Sequence, residues 1–281
     1  MRFAVGMQAP AALPTPGSVV VAVEPDKEPL GPLHLGGVLA RITGGPLILV
    51  TVFELHRLDG PEDEEQRKIR ASAREDLLAL GRTLDGVEVA DALVLAGSSP
   101  ARELQVLSES AHAALVVIGS TTRGAVRQAL PGSLAERLLS GAASPVAVAP
   151  HGYGDGPAPV PSLIGVGFDG SDESRLALEL ARDLARAAGA RLRIVSVEEP
   201  GLRELHEAAL AEHAGVDTEG VVVEGHAAEL LAAHSHEVGL MIVGSRGYGP
   251  LGAVLLGGTS HSLLREAACP LIVTPRAHTE T

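Results

Sequence analysis

The chain has 281 residues, 46% hydrophobic but only 2% aromatic, so it can bury a sizeable core and that core must be aliphatic. Its formal net charge of -13 argues against general binding to the phosphate backbone of DNA or RNA, which calls for a basic face. A single cysteine, Cys269 in "ACPLIV", excludes an intrachain disulfide, fits a reducing compartment and reads as a buried thiol.

The first 17 residues, "MRFAVGMQAPAALPTPG", have no proper signal core and read as a loose tail. No apolar run reaches the ~18 residues of a membrane span, so a cytoplasmic protein is expected, with neither membrane nor nucleic acid as a partner. Short apolar runs then alternate with helix-like segments. The first-half strands are "VVVAV" from Val19, "PLILVTV" from Pro46, "VEVADALVL" from Val87, "LVVIG" from Leu115 and "PVAVA" from Pro145. A helix is expected from about Glu62 to Leu84, its acidic "PEDEEQRK" favoured at the positive end of the dipole. "HGYGDGPAPVPS" (151–162) reads as a Pro/Gly-rich linker.

The second half repeats the order, with strands at 163–168, 191–197, 220–225, 240–243 and 270–274. Helices are expected near 172–188, 201–214, 226–236 and 258–267. In the first of them Ser171 is the cap, acidic residues fill the first turn and Gly189 ends it. His206 and His213, seven apart beside Glu207 and Glu212, read as a solvated face. His234 and His236 are two apart on a helix and point to different faces, so with His226 they read as solvent-facing rather than metal-binding. Alternating strands and helices with continuous Val/Ile/Leu runs imply an α/β fold, its parallel sheet covered on both faces.

The two halves are copies. Gly119, Gly132, Pro145 and Pro150 recur 125 positions later as Gly244, Gly257, Pro270 and Pro275. Upstream, "VVVAVEPD" matches "IGVGFDGS" at a separation of 145, with Glu24 opposite Asp169. A period this long means duplicated domains. The expected boundaries are 18–150 and 162–276, with 151–161 between them.

"GSRGYGPLGAVLLGG" (244–258) places six glycines directly after the fourth strand of the second half, and "GGTSHSLLREAA" then opens a helix. In open α/β sheets ligands bind beyond the C-terminal strand ends, and a helix N-terminus offers unpaired N–H groups to an anion. Glycine lets backbone approach a phosphate closely. Gly244, Gly247 and Gly257 form G-x2-G-x9-G, which resembles the ATP-binding signature of the universal stress protein family. The flanking "VGSRG", "CPLIV" and "GFDGSDES" resemble that family too. The resemblance covers both halves and implies a tandem protein of two Rossmann-like domains. Each would be a five-stranded parallel sheet in order 3-2-1-4-5, paired through the fifth strands as an intrachain pseudo-dimer that could itself form a homodimer.

By the same resemblance Asp169 contacts the adenosine part of ATP, and backbone near Val197 meets the adenine edge. Gly244, Ser245 and Gly247 lie over ribose and phosphates, with Arg246 reaching the phosphates. Gly257, Gly258, Thr259 and Ser260 bind the phosphates, with or without a magnesium ion. Gly258 stands where the family usually has Ser or Thr. The first half keeps Gly119, Ser120, Gly132 and Ser133, but Thr122 replaces the second glycine, Pro131 precedes Gly132, and Glu24-Pro25-Asp26 replaces the Asp-Gly-Ser turn. Its nucleotide motif is degenerate. No nucleophile–base pair stands out and G-x4-G-K-[ST] is absent, so the sequence supports holding ATP over fast hydrolysis. The expected function is nucleotide-dependent regulation of an unknown protein partner in stress response. The alternatives are a slow ATPase or adenylating enzyme, and an interaction module that binds no nucleotide.

Overall fold

The computed structural model describes residues 17–25, 30–54, 64–120, 134–154, 158–212, 215–245 and 257–275. Thr122, Pro131, Gly132, Ser133, His213, Arg246 and Gly247 lie outside the described residues. The first half runs β1 (Val19–Ala22), α1 (Gly31–Thr43), β2 (Leu47–Glu54), α2 (Glu64–Gly81), β3 (Val89–Gly97), α3 (Pro100–Ala111), β4 (Leu115–Gly119), α4 (Leu134–Leu139) and β5 (Val146–Ala149). The second runs β6 (Leu163–Gly167), α5 (Asp172–Ala188), β7 (Arg191–Val197), α6 (Leu202–Glu212), β8 (Thr218–Val223), α7 (Ala227–His234), β9 (Leu240–Gly244), α8 (Gly258–Glu266) and β10 (Leu271–Thr274).

The ten strands form one sheet, in order β3-β2-β1-β4-β5-β10-β9-β6-β7-β8. Every neighbouring pair is parallel except β5 with β10, which is antiparallel. In that central pair Ala147 faces Ile272, 125 positions on, so residues equivalent under the repeat meet at an approximate two-fold axis. Glu136 and His261 are also 125 apart, and they meet across the same axis with Oε1 3.1 Å from Nδ1.

Strand residues alternate between two cores, as the pleat requires. Val19, Val21, Leu47, Leu49, Leu115 and Val117 join Leu77, Ala177 and Ala209 of α2, α5 and α6, together with the buried face of α1. Val20, Ile48, Val116 and Ile118 join Leu104, Leu138, Leu231 and Leu263 of α3, α4, α7 and α8. Among the described residues four helices thus cover each face of the sheet. On α2, Arg70 and Arg74 donate to the Val94 and Ala92 carbonyls of edge strand β3, each at 3.1 Å, which blunts that edge.

Helices α1 and α5 end on left-handed glycines 145 positions apart, Gly44 (φ 67°) and Gly189 (φ 63°). They differ at their starts. α5 has 17 residues, and its Ser171 hydroxyl accepts from the Ser174 N–H; α1 has 13, no side-chain cap and a proline in its first turn. One expectation fails: His206 is 3% exposed. It shares a helical stripe with Leu202 and Ala209, and its Nδ1 lies 2.7 Å from the hydroxyl of buried Ser196 on β7. Burial, with Arg203 second, pushes its pKa down. His226 and His236 are exposed, whereas His234 is half-buried. Cys269 is buried, and burial pushes its thiol up to about 12. Among the described residues no helix is long and apolar enough to cross a membrane.

Candidate functional site

In the second half the strand order reverses between β6 and β9, and a crevice opens beyond strand ends at such a point. Four of the sequence-predicted elements converge there: the turn after β6, the end of β7, the end of β9 and the start of α8. The turn is built by its own side chains. Asp169 Oδ1 accepts the Ser171 N–H at 3.0 Å and the Ser171 hydroxyl at 2.5 Å. Gly170 between them has φ +77°, a conformation that L side chains rarely adopt. Ser171 therefore links the Asp169 carboxylate to the cap of α5, and Asp169 stays exposed above the strand ends.

Val197 closes β7. The Val195 carbonyl accepts from Phe168 on the β6 side, while the Glu198 N–H donates to Val223 on the β8 side. Backbone groups alternate along a parallel strand, so those of Val197 face the β6 side, where β6 has already ended. A purine edge placed there would meet an amide and a carbonyl.

Gly244 has a packing reason to be glycine. A Cβ would stand 2.8 Å from the carbonyl carbon and Cβ of Glu173 in the first turn of α5. The Ser245 N–H donates to the Thr274 carbonyl at 3.0 Å, extending the β9–β10 ladder. The hydroxyl of Ser260, 2% exposed, donates to the Gly244 carbonyl at 2.8 Å and ties the start of α8 to the end of β9. Thr274 Oγ1 lies 3.4 Å from the Glu173 and Val243 carbonyls and binds the same corner. Sequence reasoning missed Thr274 and the tying role of Ser260; buried hydroxyls at strand and helix ends are the signal that points to such ties.

These bonds define what the start of α8 can offer a ligand. Gly257 is the extended N-cap, Gly258 is exposed at the first helical position, and no side-chain cap or first-turn acid is present. The helical bonds begin with the His261 N–H to the Gly257 carbonyl at 2.9 Å. The amides of Gly258, Thr259 and Ser260 precede it, at the positive end of the dipole. A Cβ on Gly258 would meet nothing within 4 Å. The arrangement suits an anion held by backbone amides beside a carboxylate that can accept from hydroxyls.

The first half has a different corner. Gly119 lies against Pro32, whose Cγ is 3.0 Å from where a Cβ would stand, and the Ser120 N–H donates to the Ala149 carbonyl at 2.9 Å. Among the described residues the buried Ser120 hydroxyl has no hydrogen-bond partner, and Glu24 is exposed. The chain after β5 folds over the start of α1, with the Tyr153 carbonyl 2.9 Å from where a Cβ on Gly31 would stand. Among the described residues no group of three or more His, Cys, Asp or Glu is placed to hold a metal.

Residues 17–150 and 198–275 match the sequence pattern of the universal stress protein family. A universal stress protein of Mycobacterium tuberculosis is 35% identical over 196 residues, 63% of this chain and 66% of that protein's own length. The solved structure of a universal stress protein from Archaeoglobus fulgidus superposes with a TM-score of 0.72 at 22% identity, over 92% of this chain and 98% of that one. A third, a universal stress protein solved in complex with cAMP, is 28% identical and covers 41% of this chain and 96% of its own, with a TM-score of 0.35.

Proposed function

We propose that this chain, which belongs to the universal stress protein family, is a cytoplasmic regulatory protein that holds one ATP in its second half. Residues 18–150 and 162–276 are its two units, joined by 151–161. Asp169 accepts hydroxyls of the adenosine part and the Val197 backbone meets the adenine edge. The amides of Gly258, Thr259 and Ser260 hold phosphates, with the Thr259 hydroxyl, Arg246 and Gly247 as further contacts and a magnesium ion as a companion to the phosphates. Ser245 and Ser260 also hold the corner in shape, through the Ser245 amide and the Ser260 hydroxyl.

The observation that carries this reading is the contrast between halves. The second half has an Asp169-anchored turn at the cap of α5, and a glycine-opened α8 tied by Ser260 to Gly244, which itself packs on the first turn of α5. The first half has Glu24 and Pro25 in place of that turn, and its α1 starts with no side-chain cap. Bound ATP changes the charge and order of this corner, and a protein partner reads the difference. The test is mass spectrometry of small molecules released by denaturing the purified protein, followed by a calorimetric ATP titration. Adenine nucleotide in the extract and heat from the stripped protein support the reading. Absence of both overturns it.

A further inference from the structure

We propose that Leu205 is the apolar platform for the nucleobase in the second half, an inference that rests on the nucleotide reading above. Among the described residues only Ile69, Val160 and Leu205 are large hydrophobics more than a third exposed, Leu205 at 40%. Ile69 lies on α2 in the first half and Val160 precedes β6; Leu205 stands at the strand-end turn of the candidate site. Its Cδ1 is 2.7 Å from where a Cβ on Gly170 would be, so it lies directly on the residue next to Asp169. Core packing does not explain its exposed surface. The buried stripe of α6 is Leu202, His206 and Ala209, which excludes Leu205.

A half-wet aliphatic side chain gains by being covered with a flat apolar group. Here it sits one residue from an exposed carboxylate, and the Val197 backbone faces the same strand end. A nucleoside presents a matching sequence of groups: a flat base with a polar edge, then ribose hydroxyls. An inorganic phosphate chain presents none of them. Arg203, also in the first turn of α6, pairs with Glu198 just after β7.

The test compares ATP and adenosine binding to the full chain, as wild type, Leu205→Ala and Leu205→Met, by calorimetry with competition for the weaker ligand. Leu205→Ala is expected to weaken both ligands by the same factor, about tenfold, because both lose the base contact and keep the rest. Leu205→Met keeps an apolar surface and is expected to stay within about threefold of wild type. If wild type binds ATP and Leu205→Ala binds it equally well, the platform is refuted while the ATP reading stands. If Leu205→Ala weakens ATP but leaves adenosine unchanged, Leu205 acts on the phosphates through the turn, and the platform is again refuted. If wild type binds neither ligand, the reading and the platform fall together.

Discussion

Replacing Gly244 with alanine tests whether this glycine serves packing or ligand approach. The added methyl would stand 2.8 Å from the Glu173 carbonyl carbon and Cβ, and 2.9 Å from its carbonyl oxygen, where ordinary contact begins at 3.4 Å. Two of those atoms are backbone, in a helix turn capped by Ser171 and beside Thr274 Oγ1. Relief requires α5 or β9 to retreat by about half an ångström, and overpacking of this kind costs about 1–3 kcal/mol. At about 2–4 °C per kcal/mol for a chain of this size class, the melting midpoint should fall by roughly 2–12 °C. With no tryptophan and two tyrosines, the chain is best followed by circular dichroism. Gly258→Ala is the control, since a Cβ there meets nothing within 4 Å, and it should melt with wild type or slightly above. A Gly244→Ala variant as stable as wild type would refute the packing argument. If that variant also lost ATP, Gly244 would belong to the phosphate cradle instead.

Gly258→Ser should leave stability intact and tighten ATP by about tenfold, one hydrogen bond to a charged phosphate, while Thr259→Ala should weaken it; calorimetry reads both, and no change in either would leave a cradle of backbone amides alone. His206 is held below its ordinary value of 6.5 by burial, so the folded state prefers it neutral. Stability from this group is full above the unfolded value and is lost as pH falls from there towards the folded one; urea midpoints across pH 4–8 should show that loss in wild type and less of it in His206→Gln. Cys269, its thiol pushed up to about 12 by burial, should react with a thiol reagent at pH 8 only after denaturant is added.

The fold was legible in the sequence because its signals are redundant. Each strand is built around Val, Ile or Leu, and the repeat aligns the halves at 125 residues, so pairing Ala147 with Ile272 agrees with sequence arithmetic. Helix ends were legible where capping chemistry is explicit, as at Ser171 and Gly189. Gly244 was harder. Glycine is required wherever backbone approaches anything closely, and sequence cannot say whether that neighbour is a phosphate or the first turn of another helix. The hydroxyl of Ser260 is ambiguous for the same reason: it suits a phosphate or a carbonyl, and the fold places the Gly244 carbonyl oxygen 2.8 Å away. His206 was open to a better reading. Its i, i+4 and i, i+3 relation to Leu202 and Ala209 marks a core stripe, while Glu207 and Glu212 beside it equally suit a solvated face.

The measurement that bears most directly on the asymmetric site is the stoichiometry of ATP on nucleotide-stripped full-length protein, for wild type and Asp169→Ala. The account predicts one site per chain, and Asp169→Ala should weaken it by about tenfold or more through loss of charge-assisted hydrogen bonds. Two equal sites per chain, or one site indifferent to Asp169→Ala, would contradict it.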